Sequence, residues 1–238
     1  MFDKPTIMKK QALITGATSG ILGHATALRL AALGYDIIAT GRRAERLAAL
    51  KSAIEAQGGS CRTLCFDVRS EAECRKHLEP LDRVDLLLNN AGLAAGLEHI
   101  DQGSTADWDA MIDTNVKGLL YVTRIITPKM IAAGGGHVIN IGSIAGTEPY
   151  ENGAVYCASK HAVHAISQAL SVACRPAEPP HQGHGDPSGH GRNRIFAGAF
   201  PRRSRASRQD LYRRRTFDRR GYCGNDRLDR TITGPHER

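Results

Sequence analysis

From residue 11 to about residue 170, short apolar runs alternate with longer stretches in which apolar residues recur at helical spacing. The runs QALITG, YDIIAT, CRTLCFDV, VDLLLNNAG and HVINIGS read as five strands. Between and after them, GHATALRLAALG, AERLAALKSAIEAQGG, SEAECRKHL, residues 105–133 and residues 153–172 read as helices. Gly34 closes the first helix and a glycine pair ends the second. Ser70, with Glu73 three residues on, predicts a capping box for the third. The fourth strand is apolar almost throughout, as a strand covered on both faces requires. Repeated βα units of this size build a parallel, doubly wound sheet with right-handed crossovers. The fold class expected is therefore α/β, Rossmann-like, as a single domain over residues 1–173 with no internal repeat.

The pattern stops at that boundary. Residues 171–193, SVACRPAEPPHQGHGDPSGHGRN, carry almost nothing apolar. From residue 174 onward there are 15 arginines, no lysine and 7 acidic residues, whereas the residues before it hold 17 basic and 17 acidic ones. The formal charge of +8 of the 238-residue chain thus belongs to its end. A basic balance suggests a nucleic-acid or membrane partner only where the charge lies on the folded part. Here the folded part is neutral.

The six cysteines, Cys61, Cys65, Cys74, Cys157, Cys174 and Cys223, show no zinc-type or redox spacing and read as reduced, mostly structural thiols. The opening MFDKPTIMKK lacks the apolar stretch of a secretory signal, and no run approaches membrane-spanning length. A cytoplasmic protein without a membrane partner is expected.

Ligands of doubly wound sheets bind beyond the carboxyl ends of the strands, so the chemistry is sought just after each strand. After the first stands TGATSGILGHA, with Gly16, Gly20 and Gly23. Glycines there let the backbone of Gly16, Ala17, Thr18, Ser19, Gly20 and Ile21 approach a pyrophosphate at a helix N-terminus. After the second strand comes TGRR, with no carboxylate to bind a ribose 2′-hydroxyl, since Asp36 lies at the strand's other end. Arg42 and Arg43 can instead pair with the 2′-phosphate of NADP; the alternative is a solvated pair at a helix start. Asp67 and Val68 end the third strand where they would border an adenine, or Asp67 caps a turn. Asn89 and Gly92 of NNAG reach the same edge.

Ser143 follows the fifth strand, Tyr156 lies 13 residues further on, and Lys160 four beyond that. On a helix, Tyr156 and Lys160 share a face. A free tyrosine, with a pKa of about 10, is a poor base at neutral pH, and a neighbouring ammonium stabilises its phenolate. Ser143 can then hydrogen-bond a substrate oxygen. The histidines show no ligand set, the pair His161 and His164 included, so no metal is expected. Trp108 and the apolar residues of the long helix read as core or as a helix-packed subunit interface.

With TGATSGI, NNAG, Asn115 in DTNVKG, Ser143 in NIGS, and YCASK, the chain resembles the short-chain dehydrogenase/reductase family over residues 10–172. The resemblance implies that Tyr156 donates the proton in carbonyl reduction and that Lys160 also holds the nicotinamide ribose. It implies that Ser143 orients the carbonyl and that Asn115 keeps a water for proton relay behind the lysine. It also implies a homotetramer. ATGRRAERL, NNAGLAAGLE, DWDAMIDTNVKGLLYVTR and INIGSIAG are similar to an NADP-dependent 3-hydroxy acid dehydrogenase branch. That branch implies a small 3-hydroxy or 3-oxo acid substrate, such as serine, 3-hydroxyisobutyrate or malonic semialdehyde.

Two departures stand out. The family's glycine turn has one residue between its second and third glycines; here Ile21 and Leu22 both intervene before Gly23. An extra residue rotates the rest of the helix by about 100°, so either a bulge absorbs it or pyrophosphate binding suffers. The second departure is the end of the chain. With codons chosen among the synonyms and the frame moved forward one base, residues 184–203 can encode TVIHPGMVETEFSLVRFRG. That is a strand, a Pro-Gly turn and a threonine-containing loop, in the order in which the family has them. Residues 217–229 likewise become LTAEDIAETIAWI, an amphipathic helix. The segment 174–238 is therefore expected to be a frameshifted, disordered tail, and the chain inactive or poorly soluble. The competing reading is a nucleotide-binding sensor or scaffold with a basic arm for nucleic acid, which a salt-dependent gel shift would reveal. The triad favours the enzyme, with no nucleic-acid partner.

Overall fold

The computed structural model describes residues 9–18 and 20–173. The expectations for Ser19, for the side chain of Ile21 and for residues 174–238 lie outside them. Five strands form one parallel sheet: β1 (Gln11–Ile14), β2 (Asp36–Gly41), β3 (Cys61–Cys65), β4 (Leu86–Asn89) and β5 (His137–Asn140). Their spatial order is β3-β2-β1-β4-β5. The helices are α1 (Gly20–Ala32), α2 (Ala44–Glu55), α3 (Glu71–Leu78), α4 (Thr105–Ile112), α5 (Leu119–Ala132) and α6 (Ala154–Ala173). None among the described residues is long and apolar enough to cross a membrane.

The central strands β1, β4 and β2 are buried on both faces, which is why they carry apolar residues at consecutive positions. Leu13, Ile38 and Leu87 point to one side and pack with Cys74 and Leu78 of α3 and Val122, Ile126 and Met130 of α5. Ile14, Ile37 and Leu88 point to the other and meet Ala27 of α1 and Leu47, Leu50 and Ile54 of α2. Each fully buried side chain of this size contributes about 1.5–3 kcal/mol. The strand ends are thereby fixed, and the loops that leave them are carried on a rigid base.

Two local expectations are corrected. Ser70 caps α3, its hydroxyl accepting from Glu73 N at 3.2 Å. The return bond of a capping box is not made: Ser70 N donates to Asp67 O, and the Glu73 carboxylate pairs with Lys76 and His77. The single helix expected over 105–133 contains a π-helical turn, Asp113–Gly118, between α4 and α5. Asn115 lies within that turn and is buried.

Candidate active site

The strand order reverses between β1 and β4, so the loops leaving their carboxyl ends part and leave a crevice. Thr15 ties the two sides together. Its buried hydroxyl accepts from Asn90 N and Ala91 N, each at 3.0 Å. The Asn90 amide donates to the carbonyls of Thr15 (3.0 Å) and Gly16 (2.9 Å). Gly16 adopts φ 60°, and a Cβ there would stand 2.8 Å from Ala91 Cα, so only glycine closes this turn. The cleft beyond it measures about 630 Å³ and is lined by Gly16, Thr18, Arg42, Asp67, Val68 and Gly92, among others.

Gly23 sets the register of α1. A Cβ there would lie 2.5 Å from Asn90 Nδ2 and 2.9 Å from Gly16 O. Four residues on, Ala27 is fully buried against the sheet. Leu22, just before Gly23, is half exposed. Gly23→Ala should push the Asn90 amide off both carbonyls and cost ~1–3 kcal/mol, as overpacking does. Chemical denaturation measures this, and an unchanged midpoint would mean that the register is set elsewhere.

The basic rim has a division of labour that the sequence does not reveal. Arg43 precedes α2 and its guanidinium donates to Thr18 O at 2.8 Å, bracing the glycine turn. Arg42 is 60% exposed and stands 3.6 Å from Asp67. Asp67 is held mainly by Arg69: Nε and Nη2 donate to Oδ2 at 2.9 and 2.7 Å, and Arg69 N donates to Oδ1 at 3.0 Å. Asp67 thus both lines the cleft and caps a turn. Burial pushes its carboxyl up, but the hydrogen bonds and charge of Arg69, with Arg42 behind them, hold it below the usual carboxylate range.

On α6, Lys160 is buried, and its Nζ lies 5.9 Å from the centre of the Tyr156 ring. Nζ donates to the carbonyl of Ile141, just beyond β5, at 2.9 Å. Burial lowers the lysine pKa. Ser143 begins the 3-10 turn Ile144–Gly146, its hydroxyl accepting from Ala145 N at 3.2 Å. Asn115 clamps the loop after β4: its Oδ1 accepts from Leu93 N at 2.9 Å and its Nδ2 donates to Leu93 O at 2.8 Å. Nδ2 also reaches Ser159 Oγ at 3.0 Å, and that hydroxyl donates to Tyr156 O at 2.7 Å. The side chain of Asn115 is thus spent on protein partners. Tyr156 lines a second pocket with Trp108, Met111, Tyr150 and Glu98. Trp108 stands over Gly103 at that pocket rather than closing the core.

Of the residues singled out from the sequence, Gly16, Thr18, Arg42, Arg43, Asp67, Val68 and Gly92 meet at the cleft. Asn89 does not. Its amide points into the sheet, donating to Thr123 Oγ1 and Asn140 Oδ1 at 2.9 Å each. The neighbouring Asn90 braces the crevice instead. Thr15, Asn90, Arg69 and Ser159 were missed. Their signals were present: Arg69 lies two residues after Asp67, and Ser159 lies three after Tyr156 and one before Lys160. Among the described residues no group of histidine, cysteine and acidic side chains could hold a metal. The cysteines Cys61, Cys65, Cys74 and Cys157 are free, and Cys65 is exposed.

The cleft fits a phosphorylated dinucleotide. Its floor is a glycine turn that a Cβ would close, its rim is cationic, and Thr114 on its wall keeps a buried hydroxyl with no partner among the described residues.

A family model described as short chain dehydrogenase matches residues 10–178. The NADP-dependent 3-hydroxy acid dehydrogenase YdfG of Salmonella typhi is 46% identical over 162 residues, 66% of this chain and 64% of that protein. Sulfoacetaldehyde reductase 2 of Chromohalobacter salexigens is 43% identical over 163 residues, with the same coverage. The closed form of a serine dehydrogenase complexed with NADP+ superposes with a TM-score of 0.65 at 43% identity, over 68% of this chain and 66% of that one. The chain thus spans 64% of the length of these curated relatives.

Proposed function

The chain belongs to the short-chain dehydrogenase family, and we propose that it is an NADP-dependent oxidoreductase interconverting a small 3-hydroxy acid and its 3-oxo form. The observation that carries the reading is the buried Lys160 ammonium beside the Tyr156 ring, at the pocket next to the cationic cleft. The bound nicotinamide would accept or supply the hydride. In the oxidative direction Tyr156 takes the hydroxyl proton of the substrate, and in reduction it returns it. Lys160, beside the Tyr156 ring, holds the nicotinamide ribose. Ser143 orients the substrate oxygen. Asn115, through Leu93 and Ser159, fixes the loop and the helix turn that carries Tyr156 and Lys160, and the family resemblance implies that it also keeps a water for proton relay. Gly16 to Ile21 would take the pyrophosphate, Asp67 and Val68 the adenine, and Arg42 the 2′-phosphate. Serine, 3-hydroxyisobutyrate and malonic semialdehyde are the substrates to try first. The working unit on this reading is a cytoplasmic homotetramer.

We propose further that residues from about 174 onward are read out of frame. Three things support this: the change of composition there, the end of the family match at residue 178, and the family-like segment that a forward shift of one base restores.

The cofactor assignment is tested by titration. Arg42→Ala should weaken NADP by roughly tenfold or more, since a charge-assisted contact contributes about 1.5–3 kcal/mol, and should leave NAD almost unchanged. Arg43→Ala should weaken both cofactors alike, because its guanidinium braces the turn through Thr18 O. Equal losses of NADP and NAD on removing Arg42 would reduce it to a solvated residue at a helix start.

A further inference from the structure

We propose that Arg69 determines cofactor specificity, by occupying Asp67 and so leaving the Arg42 guanidinium available to a 2′-phosphate. The inference rests on the NADP reading above and deepens it. Four charged side chains meet at this end of the cleft: Arg42, Arg43, Asp67 and Arg69. Arg43 is committed to Thr18 O. Asp67 is the one carboxylate lining this cleft among the described residues, and an anion arriving at Arg42 would meet it at close range. Two guanidiniums compete for that carboxylate, and the geometry decides the contest. Arg69 makes two charge-assisted hydrogen bonds to Oδ2 and its backbone N–H holds Oδ1. Arg42 approaches the same Oδ2 only to 3.6 Å, an ion pair without a hydrogen bond.

The consequence is electrostatic. With Arg69 in place, the negative charge of Asp67 is neutralised by a partner other than Arg42, and Arg42 keeps its donors for a ligand. Without Arg69, Asp67 would draw Arg42 into a direct pair, and the carboxylate that remains would repel a phosphate. The adenosine is uncharged and the pyrophosphate is assigned to the glycine turn rather than to Arg42, so both feel this repulsion less. Arg69 should therefore act on the difference between 2′-phosphorylated and unphosphorylated nucleotides, whether or not it touches the ligand itself.

The test uses adenosine 2′,5′-bisphosphate and adenosine 5′-monophosphate, titrated calorimetrically into the 238-residue chain and, in parallel, into the frame-restored chain. The original chain should prefer the 2′-phosphorylated probe by tenfold or more. Arg69→Gln should reduce that preference about tenfold while changing the affinity for adenosine 5′-monophosphate by less than about threefold. Adding Asp67→Asn to Arg69→Gln should restore the preference, because the competing carboxylate is then gone. A full preference kept in Arg69→Gln overturns the inference and leaves the NADP reading intact. A preference lost in Arg69→Gln and not restored by Asp67→Asn overturns the route through Asp67. No preference in the unsubstituted frame-restored chain sinks the NADP reading, and this inference with it.

Discussion

Turnover of 3-hydroxy acids with NADP is expected from a chain carrying TVIHPGMVETEFSLVRFRG in place of residues 184–203 and continuing in that frame, and not from the 238-residue chain as it stands. The reason lies in what the described residues contain. The sheet as described ends at β5, and Lys160 and Ser143 stand at or beyond that strand's carboxyl end. A nicotinamide resting there needs a wall on its outer side. The restored segment supplies a strand and a Pro-Gly turn after α6, where such a wall belongs. The sequence from residue 174 onward, with its 15 arginines, carries no such strand-and-turn pattern. Loss of positioning by even ~1 Å costs about 10²-fold in rate, so the two chains should differ by at least that much. Absorbance of the reduced cofactor measures it, alongside sequencing of the coding DNA around codons 172–184. Equal turnover by the chain as it stands would mean that the arginine-rich segment is genuine protein.

The strands and helices were legible because both faces of the sheet are buried. Leu86, Leu87 and Leu88 face alternate sides and are all apolar, a run that marks a covered strand whichever residue faces which layer. The Tyr156–Lys160 pair was legible because helical spacing alone brings the two together. Other features depend on contacts between distant segments. Asn89 and Asn90 are adjacent and chemically identical, and only the pleat sends one into the sheet and the other to Thr15 and Gly16. Arg42 and Arg43 look like equal partners for a phosphate until Thr18 O, 25 residues earlier, claims one of them. The π turn at Asn115 adds a single residue to an otherwise helical period, too small a change to read from apolar spacing. The extra residue before Gly23 was visible, but the close approach of Gly23 to Asn90 was not, because it joins α1 to the segment after β4.

Tyr156→Phe, made in the frame-restored chain, should lower kcat by about 10³-fold or more, within the range of about 10²–10⁴ that general acid–base groups supply and towards its upper end. The substitution removes one hydroxyl and keeps the ring that stands beside the Lys160 ammonium. The backbone carbonyl that accepts from Ser159 is untouched, so the helix turn and its tie to Asn115 persist. Cofactor affinity, measured by titration, should therefore change only slightly. That split separates a chemical role from a structural one. The wild-type pH profile gives an independent check. Burial lowers the pKa of Lys160 beneath the ordinary 10.5, so its cation is lost at a lower pH than that of a free lysine. The rate should accordingly fall with rising pH before a free lysine would lose its charge. If Tyr156→Phe retained wild-type turnover, the proton would have to move through another group, and the role proposed for the Tyr156–Lys160 pair would be wrong.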